Sequence, residues 1–284
     1  MDLGRVGIWN IGLRSEDPGA RGEIAEAAAE LEDLGYGTIW LGGSPGVRHA
    51  APLLEATSRI VVATGILSIW DYEAADVAAE HTALAKDHPG RFLLGLGVSH
   101  GPLVGENYRR PYGAMLNYLG ELDVAGVPQQ ERVLAALGPK MLAAARDHAA
   151  GAHPYLVTPA HTSQAREILG SGPHLAPEIK VILDADPQTA RDTARGHLSI
   201  YLGMPNYTSN LLRLGFDEDD LRDGGSDRLI DTLFTWGDLD AVRERAAAHH
   251  AAGADHVALQ VITRDRTELP RREWRELAAL TRES

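Results

Sequence analysis

RIVVATGILSIWDYEAADVAAEHTALAKDHPGRFLLGLGVSHG, residues 59–101, is the stretch that decides the fold class of this sequence. Residues 60–66 form a continuous apolar run rich in β-branched side chains, which is typical of a strand buried on both faces of a parallel sheet. Residues 71–87 carry apolar side chains near helical spacing, and residues 92–98 are apolar again. This order predicts a βαβ unit, and its two strands end at the edge where parallel α/β folds bind ligands.

The same alternation continues on both sides of this unit. We predict eight strands, at residues 4–11, 38–41, 60–66, 92–98, 132–137, 153–157, 179–183 and 256–262. Segment 197–234 has an acidic cluster and no clear strand, so we interpret it as an insertion that precedes the last helix and strand and caps one end of the sheet. The pattern predicts an α/β fold with one domain over residues 1–284. The predicted architecture is a (β/α)8 TIM barrel, and a doubly wound open sheet is the alternative.

The composition excludes several classes of function. Lys and Arg number 27 against 40 Asp and Glu, a formal net charge of −13 that disfavours nucleic acid and anionic membranes as partners. The chain has no cysteine, so disulfides, thiolate nucleophiles and Cys-ligated metal centres are excluded, and we predict no metal site. The N-terminus lacks the pattern of a signal peptide, and no apolar run approaches the length of a spanning helix, so a cytoplasmic protein is expected.

Two glycine-rich segments are candidates for contact with an anion or a flat ring. Residues 97–101, GVSHG, follow a predicted strand, but they lead into Pro102 and do not form a dinucleotide-binding fingerprint. Gly138-Pro139 precedes a predicted helix, whose exposed amides favour a phosphate or a carboxylate. Ordinary turn glycines and a hydrated helix start are the alternative interpretations.

Two histidines and two arginines are further candidates. His100 and His153 fall at predicted strand ends, where an imidazole could donate a proton or bind a ligand, although a histidine bonded to loop backbone is equally compatible. Arg109-Arg110 could bind an anionic tail, or could simply be solvated.

Three tryptophans lie near the same predicted edge. Trp9, Trp40 and Trp70 each end or follow a predicted strand, so together they could form an aromatic wall for a planar ligand. The alternative is that two of the three belong to the core.

Several motifs occur in a recognisable order. They are LGYGTIWLGG, IVVATGILSIW, GRFLLGLGVSHG, YRRPYGAM, ALGPKM and GAHPYLVTPAHT, of which GRFLLGLGVSHG is the most specific. Over residues 5–262, and most weakly in 197–234, the sequence resembles the bacterial-luciferase-like superfamily and, more narrowly, the F420-dependent oxidoreductases of actinobacteria. The resemblance implies a barrel with coenzyme F420 lying across the strand ends; FMN is the alternative cofactor.

The resemblance also implies a cofactor site. Gly65-Ile66 matches a non-proline cis peptide that forms a bulge behind the deazaflavin ring in the family. Residues 97–101 and 136–139 match segments along the ribityl and phosphate portion, and residues 153–155 match a segment on its other side. The residues expected at the cofactor are Trp9, Gly65, Ile66, Gly97, Val98, Ser99, His100, Ala136, Leu137, Gly138, Pro139, His153 and Tyr155.

One departure from the family pattern bears on the chemistry. Where well-known members carry an acidic residue and a histidine after strand two, this sequence has Leu41-Gly42-Gly43-Ser44. The small loop leaves room for a bulkier substrate, and the proton would come from His100, the candidate catalytic residue, or from solvent.

The resemblance implies an activity and partners. The expected reaction is hydride transfer between deazaflavin C5 and a small organic substrate, and a homodimer is expected. An FMN-dependent monooxygenase and a barrel that binds cofactor or ligand without turnover remain the alternatives.

Overall fold

A curled sheet of parallel strands lies at the centre of the fold. The computed structural model describes residues 1–14, 16–265 and 268–282. Within these residues eleven strands join one sheet, and every pairing is parallel. The strands are β1 (Val6–Asn10), β2 (Thr38–Leu41), β3 (Val61–Thr64), β4 (Leu67–Ser68), β5 (Phe92–Gly97), β6 (Arg132–Leu134), β7 (Gly151–Ala152), β8 (His174–Leu175), β9 (Glu178–Ile182), β10 (Phe234–Trp236) and β11 (Val257–Val261).

The pairing order shows how the sheet curls. It runs β10-β9-β11-β1-β2-β3-β5-β6-β7-β8, with β4 paired to β5. Only Ala176 and Pro177 separate β8 from β9 in the chain, although the two strands lie near opposite ends of that order. The sheet therefore curls back until its ends meet at this segment. The predicted α/β class is confirmed as a curled parallel sheet with helices, but the predicted count of eight strands is not.

The third and seventh predicted strands, residues 60–66 and 179–183, correspond to β3 and β9, and the short strands β4 and β8 next to them were not predicted. Gly65 and Ile66 separate β3 from β4. Ala176 and Pro177 separate β8 from β9, because proline has no N–H to donate to a neighbouring strand.

The sixth predicted strand was placed wrongly. Residues 153–157 follow β7 as a loop, and the strand lies just before them. Pro154 cannot donate to a ladder, and Leu156 has a left-handed backbone with φ of 56°. β10 was not predicted; it begins at Phe234, the last residue of the segment interpreted as an insertion, and continues two residues beyond it.

Helices pack around the sheet, and five of them begin with proline, whose missing N–H costs nothing in the first helical turn. The helices are α1 (Arg21–Asp33), α2 (Ala51–Glu55), α3 (Ala74–Asp87), α4 (Gly101–Val104), α5 (Pro111–Val124), α6 (Pro139–His148), α7 (Pro159–Leu169), α8 (Pro187–Leu202), α9 (Pro205–Arg213), α10 (Asp227–Leu233), α11 (Leu239–Ala251) and α12 (Arg271–Leu277). In the described part of the chain, none combines the length and the apolar character needed to cross a bilayer.

The strands are apolar on both faces because the sheet has two buried sides. Ile39 and Leu41 of β2 pack in the large cluster that includes the helices, whereas Trp40 between them packs in a smaller cluster with Ala63 and Ala258 of neighbouring strands. Side chains alternate across a strand, so a sheet with a filled interior and a helical exterior requires continuous apolar runs.

Segment 197–234 is built into the fold at both ends. Residue 197 falls inside α8, and residue 234 begins β10. Between them, α9 and α10 pack side chains such as Tyr207 and Ile230 against Leu156 and Ile182, in a cluster of their own.

β3 and β5 approach each other closely at Thr64 and Gly95. The N–H of Gly95 donates to Oγ1 of Thr64 at 2.7 Å, and that hydroxyl donates to the carbonyl oxygen of Gly95 at 2.9 Å. A Cβ on Gly95 would overlap the carbonyl oxygen of Thr64, so only glycine fits this position.

This contact generates a stability prediction. Gly95→Ala forces a backbone shift between β3 and β5, so we expect the free energy of unfolding to fall by about 3 kcal/mol. Gly120 in α5 is the matched control, because no other atom lies within 4 Å of the position its Cβ would take. Alanine there should raise the stability by about 0.5–1 kcal/mol. Urea denaturation measures both values, and two variants of equal stability would contradict the close approach.

Candidate active site

A cavity of about 1010 Å³ lies at the C-terminal ends of the strands. Segments that follow β1, β3, β5, β6 and β7 line it, together with residues of α8 and α9. This edge carries the binding site in curled parallel α/β sheets. Segment 197–234, predicted to cap one end of the sheet, contributes residues of α8 and α9 to the wall.

The structure brings together nearly all of the predicted cofactor residues. Those that line the cavity are Trp9, Gly65, Ile66, Val98, Ser99, His100, Ala136, Leu137, Gly138, Pro139, His153 and Tyr155. Gly97 is the exception, since it is buried at the end of β5 and does not line the cavity.

The bulge at Gly65 and Ile66 is present without the expected cis peptide. No peptide bond between described residues is cis, so that prediction is wrong. The N–H of Gly65 still bonds the carbonyl oxygen of Leu41 at 2.7 Å, and the chain leaves the sheet only after it. A Cβ on Gly97 would overlap Cγ1 of Ile66, so Gly97 supports the site by leaving space for the Ile66 side chain.

Of the three candidate tryptophans, Trp9 lines the cavity and the other two do not. Trp40 is fully buried in the sheet interior, and Nε1 of Trp70 donates to the carbonyl oxygen of Val98 at 2.6 Å. The Trp9 ring lies 5.2 Å from that of Tyr155 at an interplanar angle of 44°. These two rings, rather than three tryptophans, form an aromatic wall.

Glycines make room for the Trp9 indole. A Cβ on Gly42 would overlap the far edge of the ring, and a Cβ on Gly65 would lie 2.8 Å from its Nε1. The small loop after β2 therefore has a packing role, because the indole occupies the space that a side chain at residue 42 would need.

His153 presents a buried acceptor at the cavity. Its ring stacks on Trp40 at 4.0 Å and 6°, and its Nδ1 lies 2.6 Å from the carbonyl oxygen of Ala176. A carbonyl can only accept, so Nδ1 carries the proton and Nε2 has a lone pair. Burial lowers the pKa of His153 to about 3, so the ring is neutral at pH 7. Nε2 is buried and has no hydrogen-bond partner among the described residues.

His100, unlike His153, presents a hydrogen-bond donor. Nδ2 of Asn206 lies 3.3 Å from Nδ1 of His100, and burial lowers the pKa of the imidazole. The amide nitrogen donates, so Nδ1 of the neutral ring accepts and Nε2 carries the proton. Asn206 also reaches the carbonyl oxygen of Ser99 at 3.4 Å and thus joins α9 to the loop after β5.

A buried polar network supports Tyr155. Lys180 donates to Oε1 of Glu178 at 3.0 Å and to Oε1 of Gln260 at 2.9 Å, and both charged residues are 1% exposed. The hydroxyl of Tyr155 is 2.8 Å from the same Gln260 oxygen and 2.7 Å from the hydroxyl of Tyr201. The ammonium nitrogen also lies 3.8 Å from the centre of the Tyr155 ring.

Donor and acceptor chemistry fixes the direction of this network. The Lys180 ammonium is a donor only, so the Gln260 atom that faces it is the oxygen. Tyr155 must then donate to that oxygen, and Tyr201 must donate to Tyr155. Burial lowers the pKa of Lys180 to about 8 and raises that of Glu178, while the charge of each opposes the shift in the other.

Cations gather near the start of α6. Lys140 and Arg213 line the cavity, and Arg213 at the end of α9 contributes to the lowered pKa of His161, after burial. His161 in turn bonds the carbonyl oxygen of Leu137, just before α6, through Nε2 at 2.9 Å. Gly138 precedes the helix and gives it no side-chain cap. Pro139 has no N–H and the N–H of Met141 bonds the carbonyl oxygen of Gly138 at 3.1 Å, so the N–H of Lys140 is the amide of residues 139–141 that an anion could contact. Arg109 and Arg110 are exposed and do not line the cavity.

The loop after β2 adds a polar pair at the cavity. Ser44 has a left-handed backbone with φ of 59°, and its hydroxyl donates to Oδ2 of Asp71 at 3.0 Å. The same hydroxyl accepts from the N–H of Ser68 at 3.1 Å.

Sequence reasoning missed several of these residues. Glu178 and Lys180 gave a usable signal, because two charges alternate inside an otherwise apolar strand, which is rare unless they pair. Tyr201, Asn206 and Arg213 gave no such signal, since they lie on helices of a segment interpreted only as a cap.

Comparison with known proteins identifies relatives of the chain. A model of the luciferase-like monooxygenase family matches residues 1–256. A protein of Mycobacterium tuberculosis strain H37Rv, whose name assigns it provisionally to the coenzyme F420-dependent oxidoreductases, is 24% identical over 99% of each chain.

Solved structures share the fold. An F420-dependent secondary alcohol dehydrogenase in complex with an F420-acetone adduct superposes with a TM-score of 0.75 at 13% identity, over 99% of this chain and 100% of the other. The FMN-bound oxygenating constituent of 3,6-diketocamphane monooxygenase from Pseudomonas putida, a type II Baeyer–Villiger enzyme, gives 0.70 at 14% identity, over 99% and 98%. At these identities the likeness shows the fold alone.

The buried ion pair of Glu178 and Lys180 predicts that substitutions of the two residues have non-additive effects on stability. Lys180→Met leaves the Glu178 carboxylate buried without its partner, so we expect a loss of about 4 kcal/mol. The double variant Glu178→Gln/Lys180→Met removes both charges and should recover most of that loss. Urea denaturation of the two variants checks this, and a double variant as unstable as the single one would show that the charges are not coupled.

Buried neutral imidazoles predict a loss of stability in acid. Burial lowers the pKa of His153 and His249 to about 3 and that of His256 to about 4. The unfolded chain takes up protons on these rings near pH 6.5, so acid favours unfolding between pH 6.5 and 4. Between pH 7 and pH 5 the free energy of unfolding should fall for both the wild type and His256→Gln. The fall should be about 2 kcal/mol smaller for the variant, which lacks this imidazole. Denaturation curves at both pH values test this, and identical falls would assign the acid sensitivity to other groups.

Proposed function

The chain belongs to the luciferase-like monooxygenase family, and from that premise we propose that it is an F420-dependent oxidoreductase. The observation that carries the proposal is one cavity that joins a bulge at Gly65-Ile66 to a cationic end at Lys140 and Arg213. A ring resting on the bulge could extend an anionic tail to the start of α6. The relative named for F420 dependence and the F420-dependent alcohol dehydrogenase of the same fold support this choice.

The residues present fit a deazaflavin with an anionic tail. Nε2 of His153 is a buried acceptor that can bond a ligand O–H or N–H. Ile66 projects over Gly97, where it can support one face of a ring, and Trp9 and Tyr155 offer an aromatic surface. These residues are the cofactor contacts that we propose, with Val98, Ser99 and residues 136–139 along the tail.

Bound F420 would supply a hydride donor or acceptor at C5 of its deazaflavin. The chain itself orients ligands and places a proton. Nε2–H of His100 can donate a hydrogen bond to the substrate, and we propose His100 as the catalytic proton donor. The network from Lys180 through Gln260 fixes the Tyr155 hydroxyl and so holds its ring beside Trp9.

The architecture fits the barrel of this family. We propose that the curled sheet is a (β/α)8 barrel whose third strand is β3 with β4 and whose seventh is β8 with β9. Residues 1–284 would form one domain, and segment 197–234 would cover the cavity. The homodimer remains a prediction.

FMN-dependent monooxygenation is the second candidate. The FMN-bound constituent of 3,6-diketocamphane monooxygenase has the same fold, and one phosphate would also fit the start of α6. Two cations favour the longer anionic tail of F420. The third alternative is a protein that binds the cofactor without turnover.

Calorimetric titration with F420 and, in parallel, with FMN tests the proposal. We expect saturable binding of F420 with a Kd at least about tenfold below that for FMN, because a second cationic contact is worth about 1.4 kcal/mol. Arg213→Met should weaken F420 binding by about tenfold, and Arg109→Met, at an exposed arginine outside the cavity, should leave it unchanged.

Each other outcome points elsewhere. A preference for FMN would move the protein to the monooxygenases, and binding of neither would contradict both cofactors. Binding of F420, with no oxidation of its reduced form by a panel of carbonyl compounds, would favour the non-catalytic alternative.

A further inference from the structure

The mouth of the cavity carries a cluster of exposed apolar side chains. Ile11, Leu103, Tyr112 and Ile200 are 51%, 67%, 39% and 60% exposed, and all four line the cavity. Within the described part of the chain, six large apolar side chains are strongly exposed, so four of the six lie at this one opening. Scattered apolar side chains are normal on a surface, but a cluster of them at a concave site marks a place where something apolar binds.

The four side chains come from separate elements. Ile11 directly follows β1, Leu103 lies in α4, Tyr112 in α5 and Ile200 in α8. Because the sheet brings these segments together, the cluster is a property of the cavity and not of one amphipathic helix. We call these four residues the apolar rim.

The lysine at the start of α6 lies away from Ile11. Lys140 follows β6, and β2, β3 and β5 separate β6 from β1 in the pairing order. Of the described lining residues, Asp71 is the one acidic side chain, and its Oδ2 already accepts a hydrogen bond from Ser44. One cation, Arg14, lies beside Ile11, because a Cβ on Gly43 would be 2.6 Å from Cδ1 of Ile11 and 2.9 Å from Nη2 of Arg14.

We propose that the apolar rim binds a neutral, largely apolar organic molecule, which is the substrate of the proposed oxidoreductase. That this molecule is a substrate rests on the proposed function, but its binding to the rim does not require a cofactor. A volume of about 1010 Å³ is at the upper end for a ligand pocket, so a cofactor and a second ligand can share it. Burial of the rim against an apolar molecule removes exposed apolar surface from water, which drives the binding.

Competition against Nile red, a neutral apolar dye, tests the inference on the purified protein. The competitors are straight-chain 2-alkanones of five to eleven carbons and alkanoates of the same lengths. We expect the inhibition constant of the ketones to fall by about threefold to fourfold per added methylene, as burial of apolar surface requires. At the rim, an alkanoate should bind at least about tenfold more weakly than the ketone of equal length, because none of the four rim side chains carries a positive charge to pair with the carboxylate.

Two rim variants and one control localise the effect. Leu103→Asn and Ile200→Asn should each weaken binding of Nile red by at least about threefold. Leu212→Asn is the matched control, because Leu212 is 42% exposed on α9 but does not line the cavity. It should leave the dye affinity unchanged. An equal loss in all three variants would place the dye outside the rim.

Other results would overturn the proposal. An affinity that does not depend on chain length would show that the rim binds no apolar ligand. Alkanoates that bind better than ketones would indicate that Arg14 recruits an anion. If the protein cosediments with phosphatidylcholine vesicles and ketone affinity does not depend on chain length, the rim binds a lipid surface instead. If ketone affinity rises with chain length but F420 does not bind, the proposed cofactor is contradicted and this inference stands. If F420 binds but ketone affinity does not depend on chain length, this inference is contradicted and the proposed cofactor stands.

Discussion

The curled sheet depends on an indole held between two neutral imidazoles. Trp40 of β2 stacks on His153 after β7 and donates from Nε1 to Nε2 of His256 at 3.0 Å. Each imidazole donates its own proton to a backbone carbonyl, His153 to Ala176 and His256 to Gly4. The cluster thus joins segments from opposite parts of the sheet through one fully buried ring. The bond from Trp40 forms only while His256 is neutral, because a protonated His256 could not accept it.

This interior also shapes the cavity above it. His153 belongs to the stack on one side and lines the cavity on the other, so its free acceptor nitrogen is held in place by the core. Trp9 lies at the cavity because Gly42 and Gly65 give its indole space. Lys180 and Gln260 orient Tyr155, because the Lys180 ammonium lies against its ring and Gln260 accepts a hydrogen bond from its hydroxyl. The site is preorganised by residues whose first role is to fill the sheet interior.

The loop that follows β2 begins with Gly42-Gly43-Ser44 and has neither an acidic residue nor a histidine at these positions. Gly42 here accommodates the Trp9 ring, and Ser44 is engaged with Asp71. Away from Lys140 and Arg213, the cavity presents two neutral imidazoles, an acceptor at His153 and a donor at His100. Neutral donors and acceptors among apolar walls suit the orientation of a neutral substrate.

The sequence by itself determined the α/β class, the alternation of most helices and strands, and the edge at which the cavity lies. Apolar periodicity, proline and glycine act between near neighbours in the chain, so a single sequence displays them. The breaks at Gly65 and Pro177 and the early end of β7 depend on which strand lies alongside, and strand ends were accordingly misplaced. Only the tertiary structure decided which side chains meet at the cavity. Tyr155 bonds Gln260 across 105 residues, and Trp40 bonds His256 across 216, distances at which the local pattern of a sequence holds no information about contact.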